Sequence, residues 1–488
     1  MNSITKKDRP RVVGGTEWIG LLLTAVTLLV FRIPASVISS DSANHIPPVM
    51  RMIGVLEQGI DWYADMAADT HVHTFFAMLF FPISWNAQLG YTVLSLLYFS
   101  VVLGTHLLLT RLLRRAGISL PWIVVIYLFS ILVPKYFLYG YLFIIDQGIT
   151  PRMISWILII VAYLKASEGR WNPTFSFLTC ASLFHPSDGL VASIAFIAGY
   201  LFCFAKENER KISSQMATIA LMLLSISFPV FIALSNYEPY SNAESDQYFA
   251  WILIFFRAQY FNYKWIELAA VAVAILMVVM LAKTKNFLWN LHGAICIVSG
   301  LQVLIFMLGS KFMSYQVMSA YGIRGLSLFL LSGFLWIAPL AKHWHLKLGR
   351  KTNSFIHTAL FVTSTVLVTA LLVQSNTPVK ISNPLHTLEV LSRSTDATLM
   401  YPEQTSKLCP IEEESNQDCV FAVYKGNYVS IKQLGFGNHF YGQWVMRLDQ
   451  KTQSCLREEF IMQTERSNYE LVSLEWLAFC SERKDNQS

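Results

Sequence analysis

The residues of this chain that could do chemistry lie at the edges of long apolar runs. Asp41 and His45 closely follow the first run, in Ser39-Ser40-Asp41-Ser42-Ala43-Asn44-His45. Lys135 lies inside a later one. Asp146 and Arg152 flank Thr150-Pro151, and His185 and Asp188 sit in the break His185-Pro186-Ser187-Asp188-Gly189. Arg257 falls in a loop, and Arg324 precedes a late apolar run. Carboxylates and imidazoles move protons, and guanidinium or ammonium groups hold anions. A charge near membrane depth is costly, so it usually marks function. Each residue also has an ordinary structural explanation. Asp41 and Asp188 are good helix caps, Lys135 can snorkel to the interface, and Arg257 and Arg324 can anchor lipid headgroups. Asp61, Asp65 and Asp69 recur every four residues, as on the wet face of a surface helix. His71 and His73 are a weak metal-ligand signal.

Composition says what must position these groups. Of 488 residues, 54% are hydrophobic and 14% charged, against about 25% charged in soluble domains. An ordinary cytosolic enzyme and a disordered chain are excluded, and seven cysteines are too few for a secreted disulfide scaffold. Residues 1–374 carry a net charge of +10 and residues 375–488 a net −4. The first segment therefore reads as a multi-span transmembrane domain and the second as a soluble extracytoplasmic domain. The pI near 8.8 does not point to nucleic acid, because the basic residues sit in short clusters between apolar runs.

A hydrocarbon core about 30 Å thick takes about 20 apolar residues per helix. Spans are expected near 16–32, 89–110, 121–143, 151–165, 213–235, 266–282, 288–309, 323–341 and 355–374. The stretch 174–205 is apolar but broken at His185–Gly189, and reads as two short helices meeting at a turn. That makes an α-helical polytopic protein of about eleven membrane helices. Residues 74–85 are apolar but short, and fit a re-entrant or interfacial helix.

Orientation follows from Lys and Arg. With the N-terminus inside, the clusters Lys6/Lys7/Arg9/Arg11, Arg111/Arg114/Arg115, Lys165/Arg170, Lys206/Arg210/Lys211, Lys283/Lys285 and Lys342/Lys347/Arg350/Lys351 all fall inside. The single basic residues, Lys135, Arg152, Arg257 and Arg324 among them, fall outside or in the spans. No small-residue cleavage site follows the first apolar run, so it is expected to remain as a span.

The C-terminal domain reads as mixed α/β, with strands at Ala397–Tyr401 and Val420–Tyr424. It holds Cys409, Cys419, Cys455 and Cys480, expected to form two disulfides in an oxidising compartment. Cys180, Cys203 and Cys296 lie in apolar runs. No P-loop, Rossmann fingerprint, HExxH or internal repeat is present in the sequence.

The acidic residue just after the first span, the long first outside loop, the broken helix pair and the C-terminal extracytoplasmic domain together resemble the GT-C glycosyltransferases. The stretches that carry this are Asp41-xxx-His45, Thr150-Pro151-Arg152, Phe184-His185-Pro186-Ser187-Asp188-Gly189, Phe256-Arg257-Ala258-Gln259-Tyr260, Val423-Tyr424-Lys425-Gly426 and Trp444-Val445-Met446-Arg447. The closest likeness is to uncharacterised bacterial multi-span GT-C-like proteins. The resemblance implies sugar transfer from a polyprenyl-phosphate donor to a glycan or lipid acceptor at the outer face. It implies Asp41 as the base that deprotonates the acceptor, with Lys135, Arg152, Arg257 and Arg324 for the donor phosphate. His45, Asp146, His185 and Asp188 complete the implied substrate site. Many members have adjacent acids where this chain has lone Asp41 and lone Asp146, so a divalent metal (Mg or Mn) is an open expectation. A bacterial inner membrane is implied, with the N-terminus cytoplasmic and the C-terminal domain periplasmic. Two rival readings stand beside it. One is an O-antigen ligase or polymerase, which also has many spans and outside arginines but usually carries its large loop between spans. The other is a non-enzymatic transporter or envelope assembly protein, of which a transporter would tend to show internal repeats.

The topology is testable. A reporter fused after Gln374 is expected to be active only if it works in the exported compartment. A cytoplasmic reporter active at that point would overturn the orientation.

Overall fold

The computed structural model describes residues 46–54, 65, 74–79, 81–82, 87–118, 123, 149–204, 212–235, 287–311 and 324–347. Among these residues all regular structure is helical. The helices are α1 (Ile46–Met52), α2 (Thr74–Met78), α3 (Ala87–Arg115), α4 (Pro151–Ser167), α5 (Trp171–Phe184), α6 (Pro186–Phe204), α7 (Ile212–Ser235), α8 (Phe287–Lys311) and α9 (Gly325–Lys347). Three stretches are long and apolar enough to cross a membrane: Ser95–Arg115, Pro186–Cys203 and Phe287–Leu308. Large apolar side chains also point outward, including Leu96 on α3, Leu201 on α6, Phe231 on α7 and Ile305 on α8. A soluble bundle would cover such a surface, so these are the features of a helical membrane protein.

The expected spans at 16–32, 121–143, 266–282 and 355–374 lie outside the described residues, apart from buried Ile123. So does the whole C-terminal domain, with its strands and four cysteines. Cys180, Cys203 and Cys296 are free thiols. Residues Thr74–Met78 form one short helix, and Asp65 makes an ion pair with Arg51 at 2.9 Å. Asp65 is therefore half-buried and partnered, rather than a solvated residue on a wet face.

α6 is the centre of the bundle and packs against α4, α5, α7, α8 and α9. Its helix begins at a chemically dictated break. Proline disfavours the α conformation in the residue before it, and His185 is extended at φ −144°, ψ 94°. The His185 amide still closes α5 onto Ala181, and its carbonyl accepts the Gly189 amide to open α6. The two helices thus meet at one residue. The expected pair of short helices needs correction on one side. The break is off-centre in the apolar stretch, so α5 has 14 residues but α6 has 19. At 1.5 Å per residue, α6 covers about 28 Å and is a full span.

Polar groups inside the bundle are tied between helices. Pro229 lies within α7 and has no amide proton, so the carbonyl of Ser225, four residues earlier, loses its helical donor. Ser193 of α6 donates its hydroxyl to that carbonyl at 3.2 Å, while Ser182 of α5, 3.5 Å from it, donates to its own Leu178 carbonyl at 2.8 Å. Gln302 Nε2 of α8 donates to the Val191 carbonyl of α6 at 3.2 Å. Tyr163 Oη of α4 lies 2.9 Å from His292 Nδ1 of α8.

The two ends of the bundle differ. At one end Glu168 meets Arg115 at 3.1 Å, Lys165 at 3.4 Å and Arg170 at 3.7 Å. Gly169 ends α4 there with φ +69°, the left-handed conformation that closes a helix. At the other end lie the α5–α6 break and the amino termini of α4 and α9.

The close return of α6 onto α5 allows a test. A Cβ on Gly189 would fall 2.5 Å from Ser182 Cα, whereas one on Gly333 would meet only Cys296 Sγ at 3.7 Å. Gly189→Ala is expected to destabilise by about 1–3 kcal/mol, and Gly333→Ala to be neutral or slightly stabilising. Thermal unfolding of both variants in detergent checks this, and equal melting would refute the close packing.

Candidate functional site

The amino-terminal ends of α4, α6 and α9 place four of the expected site residues together. Asp188 is the hub, with its side chain 1% exposed. Arg152 Nε, from the first turn of α4, lies 3.9 Å from Asp188 Oδ2. Arg324 Nε, from the residue preceding α9, lies 4.0 Å from Asp188 Oδ1. His185 Nδ1 lies 3.2 Å from Asp188 Oδ2. Arg152 and Arg324 are both largely buried, so the cluster is shielded from solvent.

Local sequence explains how each arrives. Proline is favoured at the first position of a helix, where its missing amide costs nothing. Pro151 starts α4 and sets Arg152 in its first turn. Pro186 does the same for α6 and puts Asp188 at the third helical position, where a carboxylate meets the positive end of the helix dipole. Gly325 lets α9 start close to α8, since a Cβ there would meet the Ser299 carbonyl at 2.8 Å. That approach brings Arg324 to Asp188.

His185 Nδ1 has three polar neighbours: the Asp188 amide at 3.3 Å, Ser187 Oγ at 3.2 Å and Asp188 Oδ2 at 3.2 Å. A ring with its proton on Nε2 accepts from the amide and the hydroxyl, while a ring protonated on Nδ1 donates to the carboxylate. Two of the three neighbours can donate, and the amide can only donate, which favours the Nε2–H form. In that form the imidazole caps α6 as a side-chain acceptor does.

The ionic contacts are loose. At 3.9 and 4.0 Å the arginines attract Asp188 without hydrogen-bonding it. Neither carboxylate oxygen, nor Arg152 Nε, has a hydrogen bond. Thr150 Oγ1 and Ser155 Oγ of the same region are also buried without a partner. Such an arrangement can accept an oxyanion between cationic groups. It suits a divalent cation poorly. Mg and Mn want several oxygen ligands, and here one carboxylate is flanked by two guanidiniums. Among the described residues no group of three or more His, Cys, Asp or Glu could hold a metal.

Asp41, His45, Lys135, Asp146 and Arg257 lie outside the described residues. Arg152, His185 and Arg324 come together around Asp188. Sequence reasoning missed Thr150 and Ser155 as polar members of this region, and the Tyr163–His292 pair deeper in the bundle. Thr150 was visible as a cap-type residue before a proline. Nothing local marked Tyr163 and His292 as partners across 129 positions. No protein-family model, curated protein or solved structure matches the chain.

The cluster makes a stability prediction. Removing one partner of a buried ionic group typically costs about 3–5 kcal/mol, because the others are left uncompensated. Asp188→Ala is expected to show a loss of that order in unfolding measurements. Adding Arg152→Gln should recover part of it. A stable Asp188→Ala single variant would mean that the carboxylate does not hold the arginines.

Proposed function

We propose that this chain is a membrane glycosyltransferase-like enzyme. It moves a sugar from a polyprenyl-phosphate donor to a glycan or lipid acceptor at the outer face of the membrane. The observation that supports this reading is the convergence of Arg152 and Arg324 on buried Asp188, where the amino ends of three helices meet. Planar guanidiniums match phosphate oxygens in two-point contacts. Buried charge of this kind in a membrane bundle marks a substrate path more often than a strut.

In the proposed reaction the acceptor hydroxyl attacks the anomeric carbon of the donor. Asp41 takes the hydroxyl proton. The bond from that carbon to the phosphate oxygen breaks, and its electron pair leaves with the lipid phosphate. Arg152 and Arg324 stabilise the growing negative charge. Asp188 holds both guanidiniums in register before the donor arrives. His185 caps α6 and so fixes the turn that carries Asp188. Lys135, Arg257, His45 and Asp146 are proposed to complete the donor and acceptor sites. The basic clusters support an outward orientation for this end of the bundle, which in a bacterium would be the periplasmic side of the inner membrane.

A glycan-profile assay on a strain lacking the gene tests this, with protein levels matched. Asp41→Asn is expected to abolish transfer. Arg152→Ala and Arg324→Ala should each reduce donor use by roughly a hundredfold. Wild-type glycan from the Arg152→Ala/Arg324→Ala double variant would reject the phosphate site.

A further inference from the structure

The three helix amino ends at this site are not equivalent. α6 is capped by the His185 ring, which accepts the Asp188 amide. α4 has the residue and backbone for a cap but not the bond. Thr150 sits before Pro151 with extended dihedrals of φ −127° and ψ 155°, yet its side chain makes no cap hydrogen bond. Thr150 is 3% exposed, and its hydroxyl has no partner. Thr179, Ser299 and Ser332 bond their own helix at 2.6–2.9 Å, to the carbonyl four residues back. The hydroxyls of Ser95 and Thr105 on α3 are, like that of Thr150, enclosed without a partner. Thr150 differs from those two in standing at a helix amino end. A buried hydroxyl left unsatisfied costs stability. The Thr150 hydroxyl stands at the amino end of α4, where the first amides have no partner within the helix and the helix dipole is positive, two residues before Arg152.

We propose that the amino-terminal turn of α4 is an anion subsite for a phosphate group carried on a lipid. The Thr150 hydroxyl and the amides of Arg152 and Met153 take the phosphate oxygens, and the Arg152 guanidinium closes over them. Helix amino ends bind phosphate through this combination of free amides and dipole. The subsite deepens the donor reading above and rests on it for the lipid, while the oxyanion chemistry stands on the α4 geometry. Thr150 is thus a binding residue, with a hydroxyl that satisfies the ligand instead of the fold. Ser155, one turn along α4 and also unpartnered, lies on the same side as Arg152.

Thr150→Val keeps the shape and removes the hydroxyl, and Thr150→Ser keeps the hydroxyl. The full chain in zwitterionic nanodiscs is titrated with farnesyl phosphate and, separately, with inorganic phosphate. Thr150→Val is expected to bind farnesyl phosphate about tenfold more weakly than wild type, and Thr150→Ser within about twofold. Unliganded Thr150→Val should melt at or above the wild-type temperature, which a structural cap would not allow. Wild-type affinity in Thr150→Val, with binding lost in Arg152→Gln, overturns the subsite and leaves the arginine site standing. No binding of either probe to the wild type overturns both. Binding of inorganic phosphate as tight as that of farnesyl phosphate keeps the anion subsite and overturns the lipid source.

Discussion

Hydrocarbon offers no hydrogen bonds, so every polar group at membrane depth must find its partner inside the protein. That constraint shapes this bundle at several levels. It confines the spanning backbone to helices. It explains why α7 can carry Pro229 in its interior, since the Ser193 hydroxyl supplies the carbonyl that the proline leaves without a donor. That hydroxyl comes from α6, so one backbone defect becomes a tie between two helices, with Ser182 of α5 close by at 3.5 Å. Gly189 sits against Ser182 in the same region, and its missing side chain lets α5 and α6 approach. The site is built on this frame, because the break that places Asp188 is also the break that folds α6 back onto α5.

The same constraint separates the two ends of the bundle. Glu168 gathers Arg115, Lys165 and Arg170 at one end, with side chains that remain part-exposed. Exposed pairs of this kind contribute little, about 0–1 kcal/mol each. Asp188 gathers Arg152, Arg324 and His185 at the other end, almost fully enclosed. There the desolvation cost is large and the geometry is too loose to recover it by hydrogen bonds. Two clusters of similar composition thus have different physical standing. The exposed one finishes helix ends, and the enclosed one holds charge out of water without hydrogen bonds to balance it.

Much of the helical layout was legible in the sequence, and the reasons differ by element. Apolar runs located α4, α7 and α8 to within a few residues, because hydropathy tracks the lipid-facing and buried lengths. α3 and α9 run past their apolar limits, to Arg115 and Lys347, because a helix continues into water where backbone bonds still form. The break at His185-Pro186 was readable from proline chemistry, but its off-centre position made α6 a full span. Among the site residues, Arg152, His185, Asp188 and Arg324 were each recognisable as charges beside apolar runs. Their convergence on Asp188 was not, since it depends on how α4, α6 and α9 pack. Thr150 was harder still. Its residue type and position before Pro151 describe an ordinary cap, and only the missing bond separates it from one.

That missing bond bears on how the site divides its labour. A fold selected for stability alone would turn the Thr150 hydroxyl onto its own helix or replace it with valine, since either removes a buried, unsatisfied group. It would also draw Arg152 and Arg324 into hydrogen-bonding range of Asp188. Instead the hydroxyl, the Asp188 oxygens and Arg152 Nε are all left open within one small region. The surrounding helices are well packed, with Met153, Ile159 and Phe196 fully buried. The amino end of α4 and the Asp188 carboxylate are linked through Arg152, but at 3.9 Å the contact stops short of a hydrogen bond. On the proposed reading, an anion would complete the donors and Asp188 would keep the guanidiniums aligned without one. The stability given up in the empty state would then be recovered on binding, which is how a preorganised site gains affinity without rearranging its frame.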